Sequence, residues 1–285
     1  MSRRRWAALA GLAILVLAIA AAGVGWYSQP SVKERRQLTQ RMAGIAQARP
    51  EAMVDCAATA GQRPFVLLAL GQSNAGNHGS LASVATPPVL VQAGAGCAHA
   101  QDPLPGGTGQ GGSVWRHLSA LLQQRDARPV LFSILAVDGS SIRQWTDAKG
   151  PIAQRLEVQL AQLRALGLQP DAVLWQQGEA DARDAGTASG YRDQLGRLDA
   201  LLHGLGVDAP VYLALSTVCR SAPYAPVREA IVQATAQPGR LRPGPDTDLL
   251  AGAGDRSDGC HFSATGAQAA ARAWAEVLAR APRSP

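Results

Sequence analysis

The apolar run Phe65–Leu70, FVLLAL, leads straight into GQSN, which puts Ser73 at the tip of a buried-looking strand. A serine hydroxyl there can attack a carbonyl carbon if a base removes its proton. The chain has five histidines: His78, His99, His117, His203 and His261. His261, in DGCHF, is the one with an aspartate three residues before it, Asp258. In a tight turn that spacing aims the carboxylate at one imidazole nitrogen and leaves the other free. A nucleophile, a base and an orienting acid are the parts of acyl transfer through a covalent intermediate. Two more stretches offer donors to a developing oxyanion. Gly139, in DGSS, can bring a bare N–H close to a substrate oxygen. Gln177, in WQQGEAD, carries a neutral side-chain N–H group. Taken singly, each stretch also has a plainer reading: a helix N-cap, a glycine turn, a surface histidine beside an aspartate.

Those residues need a frame. Strand-like apolar runs occupy 65–70, 129–137, 171–176 and 210–217, near-continuous and not alternating, as in parallel strands covered on both faces. Helical stretches cover 113–125, 151–167, 191–206 and 263–281. The alternation predicts crossover units and a three-layer α/β/α sandwich, with a central, mostly parallel sheet of about five strands. In such sheets ligands bind beyond the C-terminal strand ends. GQSN, DGSS and WQQGEAD all follow predicted strands.

GQSN, DGSS, WQQGEAD and DGCHF, in this order, resemble the SGNH (GDSL-type) hydrolase superfamily. More narrowly they resemble its sialate O-acetylesterase-like branch, which includes carbohydrate esterase family 6. The resemblance spans residues 63–280 and implies a flavodoxin-like SGNH fold. It implies Ser73 as nucleophile, His261 as general base and Asp258 as the acid that orients it. It also implies an oxyanion hole from the N–H of Ser73, the N–H of Gly139 and the side chain of Gln177. Gln72 and Gln177 stand where the wider superfamily has Asp and Asn, which fits this branch. Gln72, Asn74, Arg143, Trp145 and Glu179 follow or sit in the blocks and are expected to line the substrate site, although Glu179 also suits a structural role. No cofactor and no metal are expected, because neither histidines nor cysteines group at ligand spacings.

The rest of the chain bears on location. Residues 1–50 hold eight basic residues and one acidic, whereas residues 51–285 hold 19 basic and 20 acidic. The overall charge of +6 therefore lies outside the main domain, and nucleic-acid binding is excluded as a function. We expect a cytoplasmic n-region over 1–5, a transmembrane signal anchor over 6–27, a basic stalk over 28–55 and the catalytic domain over 56–285. The small residues near position 20 leave a cleaved signal peptide as the alternative, which would make the protein secreted. Cys56, Cys97, Cys219 and Cys260 form an even set that suits an oxidising compartment on the periplasmic side of the cytoplasmic membrane. Cys56–Cys97 and Cys219–Cys260 are the expected pairs, each stapling a loop beside an active-site segment. The expected function is removal of O-acetyl groups from a carbohydrate. Acetyl transfer to a cell-envelope glycan is the alternative, as is an inactive glycan-binding relative.

Overall fold

The computed structural model describes residues 32–56, 63–81, 87–125, 128–188 and 190–280. The expected n-region and transmembrane span lie outside these residues. Among the described residues no helix is long and apolar enough to cross a membrane.

The sheet is larger than expected. It has eight strands and is mixed: β1 Met53–Val54, β2 Phe65–Gly71, β3 Val89–Ala93, β4 Gly96–Ala100, β5 Val130–Ala136, β6 Ala172–Gln176, β7 Val211–Leu215 and β8 Leu241–Asp246. Their order is β1-β4-β3-β5-β2-β6-β7-β8. The five strands β5-β2-β6-β7-β8 run parallel, in the flavodoxin-like order second-first-third-fourth-fifth. The chain between β2 and β5 adds the other three at the β5 edge. There β3 pairs parallel to β5, then β4 and β1 follow antiparallel. β8 escaped the sequence reading because Pro243 and Pro245 interrupt LRPGPD. Proline is tolerated there because the strand is at the sheet edge.

Nine helices are described: α1 Val32–Met42, α2 Val114–Gln123, α3 Ile142–Thr146, α4 Pro151–Ala165, α5 Glu179–Ala182, α6 Ala185–Ala188, α7 Tyr191–Gly204, α8 Ala225–Thr235 and α9 Ala264–Arg280. Side chains alternate across the sheet, and the two faces feed separate cores. Leu68, Leu70, Leu135, Val173 and Trp175 face α3, α4, α7 and α8. Leu67, Ala69, Phe132, Ile134 and Leu174 face α2 and α9. The helices carry matching stripes. α9 buries Ala267, Ala270, Ala271, Trp274 and Ala275, one face at i, i+3, i+4, i+7 and i+8.

The segment expected to be a stalk is not separate from the domain. Leu38 of α1 is 1% exposed within the core that holds Leu70 and Trp145. Arg35 pairs with Asp147 at 2.8 Å, and Arg41 donates to the Asp138 carbonyl at 2.6 Å. Ile45 bridges to Thr108. The folded unit therefore includes α1. Of the basic residues that suggested a solvated linker, Lys33 and Arg36 are exposed, while Arg35 and Arg41 join Leu38 in tying the helix to the domain.

Candidate active site

Three loops leave the adjacent ends of β5, β2 and β6. In register, Gly71 pairs with Ala136 on one side and Gln176 on the other. β2 sits where the chain's strand order reverses, the place where open parallel sheets form a crevice. A Cβ on Gly71 would lie 2.1 Å from the Gln176 carbonyl oxygen, so only glycine lets β6 approach this closely. Ser73 opens a single 3₁₀ turn, Ser73–Ala75, just beyond. Gly139, at φ +59°, follows β5 in a left-handed turn that favours glycine. A Cβ there would also meet Arg41 Nη1 at 2.8 Å.

The fourth segment, 255–263, arrives from before α9. Asp258 and His261 lie within it, with Asp258 Oδ2 3.0 Å from His261 Nδ1. The same carboxylate accepts the backbone N–H of Cys260 at 2.9 Å and of His261 at 2.8 Å. Burial pushes the Asp258 carboxyl up, but these N–H groups and the imidazole outweigh it and hold the group well below the usual carboxylate range. Asp258 is thus a fixed anion that orients His261 and leaves Nε2 free.

Buried polar contacts tie this segment to the serine loop. Asn74 donates to Glu179 Oε1 at 2.7 Å and to the Cys260 carbonyl at 3.1 Å, and it accepts the Phe262 N–H at 3.3 Å. One side chain, next to Ser73, therefore grips the backbone on both sides of His261. Arg256 adds a second clamp, donating to the carbonyls of Cys260, Thr247 and Leu250 and lying over the Phe262 ring. The disulfide Cys219–Cys260 adds a third. Cys56–Cys97 closes the far edge, and both pairings are the expected ones. Among the described residues His261 Nε2 has no hydrogen-bond partner, so the bond to Ser73 is not made in this structure. Such bonds are often long in unliganded enzymes and tighten with substrate.

Several expected site residues lie behind the surface and not on it. Gln177 is fully buried, and its amide N–H group is occupied by the Ser140 carbonyl, Asp181 and Gln72. Its carbonyl oxygen accepts the Tyr191 hydroxyl. That corrects its role as an oxyanion donor: it braces the Gly139 turn from beneath. Gln72, also buried, accepts from Gln177 and from the Ala180 N–H. Trp145 is fully buried, donates to Ser140 Oγ and packs edge-on against Trp175. It belongs to the core, not the pocket wall. Asn74 is a clamp, as above. Glu179 is fully buried and accepts from Asn74 and Ser216 through Oε1, while Oε2 has no hydrogen-bond partner among the described residues. Burial pushes its carboxyl up. Of the five residues expected to line the substrate site, Arg143 alone is partly exposed.

The structure also places residues that the sequence reading passed over. His78 stacks on His261 with ring centroids 5.4 Å apart. Thr108 Oγ1 lies 3.1 Å from His78 Nε2 and accepts the Asp138 N–H. Burial pulls the His78 imidazole down, with Asp138 opposing and His261 reinforcing. His78 follows the GQSN block by four residues, a proximity that could have flagged it. Asp138 gave no signal beyond its place before Gly139. A separate cavity of about 220 Å³, lined by Gln92, Arg155 and Gln159 among others, includes none of Ser73, Gly139, Asp258 or His261.

Comparison with known proteins agrees with this frame. Residues 65–280 match the family model "Carbohydrate esterase, sialic acid-specific acetylesterase". A search of curated proteins found no match. Among solved structures, a protein of Arabidopsis thaliana superposes with TM-score 0.65 at 20% identity, covering 76% of this chain and 99% of that one. NanS superposes with TM-score 0.54 at 15% identity, covering 76% and 96%. At these identities the structural likeness establishes the fold alone. The family match spans most of the chain and all four loop segments, so the chain belongs to the sialic acid-specific acetylesterase family of carbohydrate esterases and is a carboxylic ester hydrolase.

Proposed function

We propose that this protein removes O-acetyl groups from a carbohydrate through a Ser73–His261–Asp258 triad and an acyl-enzyme. The observation that carries the reading is the Asp258–His261 pair held beside the serine loop by Asn74. His261 Nε2 takes the Ser73 proton as Oγ attacks the acetyl carbonyl carbon, and a tetrahedral oxyanion forms. This reading assigns the N–H groups of Ser73 and Gly139 to that oxygen. Each such donor is worth roughly 3–4 kcal/mol in the transition state. His261 then returns the proton to the sugar oxygen as the C–O bond breaks. Water, deprotonated by the same nitrogen, releases acetate from Ser73. Asp258 stays ionised throughout and steadies the imidazolium. Two disulfides support folding in an oxidising compartment outside the cytoplasm.

The test uses the full-length protein and p-nitrophenyl acetate, followed by acetate release from O-acetylated sialic acid, xylan and peptidoglycan. The wild type turns over, and Ser73→Ala and His261→Ala lose turnover while keeping the native near-UV circular dichroism. Equal rates in wild type and Ser73→Ala end the triad reading. A rate on the artificial ester with no acetate from any glycan ends the carbohydrate assignment.

A further inference from the structure

The mouth of the site carries a feature that ester hydrolysis does not use. His78, Asp138 and His261 each offer one ligand atom, and these atoms lie within 4.8 Å of one another. All three residues are partly exposed, so an ion can reach them. They come from separate places: the loop after β2, the end of β5 and the segment before α9. That is why no ligand spacing is visible along the chain.

We propose that His78, Asp138 and His261 bind a zinc ion that reversibly inhibits the enzyme, a regulation that rests on His261 being the base. Two imidazoles and one carboxylate suit zinc, leaving its fourth position to water. Calcium and magnesium prefer oxygen ligands throughout. Ligand atoms around tetrahedral zinc stand roughly 3.3 Å apart, given bonds of about 2.0 Å. Side-chain torsions of partly exposed residues cover the remaining distance. One nitrogen of each imidazole already meets an oxygen, Asp258 Oδ2 for His261 and Thr108 Oγ1 for His78. Such outer-sphere oxygens fix ring orientation at metal sites.

The inhibitory sense follows from His261. Asp258 holds Nδ1, so Nε2 is the nitrogen that ligates the ion, and it is also the nitrogen that must accept the Ser73 proton. With its lone pair on zinc it cannot do so. Arg41 keeps the site from being a permanent one. Its guanidinium donates to the Asp138 carbonyl and opposes a second cation nearby.

The experiment titrates zinc chloride calorimetrically into full-length, chelator-treated wild type, Ser73→Ala, His78→Gln and Asp138→Asn. Wild type and Ser73→Ala are expected to bind one zinc per chain with equal affinity. His78→Gln and Asp138→Asn should bind at least about tenfold more weakly, the lower end of what loss of even an outer-sphere partner costs. For wild type and the two ligand variants, zinc inhibition of p-nitrophenyl acetate hydrolysis, measured against each protein's own zinc-free rate, should shift in parallel, and magnesium should not inhibit. Either ligand variant with native near-UV circular dichroism suffices for the comparison. No saturable zinc binding by the wild type overturns the proposal. So does affinity unchanged in both ligand variants. Zinc binding at these ligands by a protein without esterase activity would instead sink the triad reading and leave the metal site standing.

Discussion

Replacing Asn74 with alanine tests whether this side chain positions the base. Asn74 is 3% exposed, and it touches three groups that are themselves buried. The Cys260 carbonyl keeps a partner after the change, since Arg256 Nη1 donates to it at 2.6 Å. The Phe262 N–H loses its acceptor. Glu179 keeps Ser216 on Oε1 but loses Asn74, and its Oε2 is already without a partner among the described residues. One orphaned N–H costs about 1–2 kcal/mol, and a buried carboxylate stripped of a donor costs a similar amount. The expected loss is therefore about 2–4 kcal/mol, a large part of a typical stability of about 5–15 kcal/mol. Activity should fall further than stability explains. Asn74 holds the residues on both sides of His261, and a shift of about 1 Å at a reacting group costs on the order of 100-fold. The assay is urea unfolding at pH 7 together with kcat/KM on p-nitrophenyl acetate, measured where the variant is fully folded. A stability within about 0.5 kcal/mol of wild type would refute the network argument. A clear stability loss with unchanged kcat/KM would refute the positioning argument alone.

Glu179→Gln keeps an acceptor for Asn74 and Ser216, so it should reduce turnover less than Ser73→Ala. Its pH dependence is diagnostic: the folded carboxyl lies above its ordinary 4.5, so the native state binds the proton more tightly. Wild-type stability should then fall, relative to the Gln variant, as pH rises from 4.5 through the raised value, and urea midpoints across that range check the sign. Both disulfides close loops of 41 residues, a separation worth about 4 kcal/mol of loop entropy. Removing Cys56–Cys97 should lower the urea midpoint with kcat unchanged, whereas removing Cys219–Cys260 should lower both, because Cys260 adjoins His261. Leu38→Ala should cost about 2–4 kcal/mol by thermal or urea unfolding, since α1 fills part of the core. A free stalk would show no change.

The parallel core was legible because its strands are apolar on both faces. FVLLAL and AVLWQ need no tertiary information to be recognised, and the loops after them hold the chemistry that parallel sheets place there. The edges were not legible for the same reason. β1 is two residues long, and β8 contains two prolines, so neither carries the run that marks a strand. Helix α1 shows the limit of composition. Its charged residues read as a solvated face, yet Arg35 and Arg41 bind the domain and Leu38 enters the core.

The site divides along a similar line. Ser73, Asp258 and His261 could be named because their chemistry is tied to residue type and short spacing. The polar residues around them could not be sorted, since a glutamine beside a nucleophile reads the same whether it faces substrate or core. Hydrogen bonding separates the two: the side chains of Gln72, Asn74, Gln177 and Glu179 are held by buried partners. Beneath the catalytic loops Gln72 and Gln177, closed by Tyr191, form one buried hydrogen-bonded group, and Asn74 and Glu179, closed by Ser216, form a second. A group of this kind is costly to leave partly satisfied, so each member constrains the others. Their effect is to hold loops from β2, β5 and β6 and the segment before α9 in one arrangement. On the proposed triad these residues serve to hold His261 in place, and substitutions among them should show up first as misplacement of His261 and only then as unfolding.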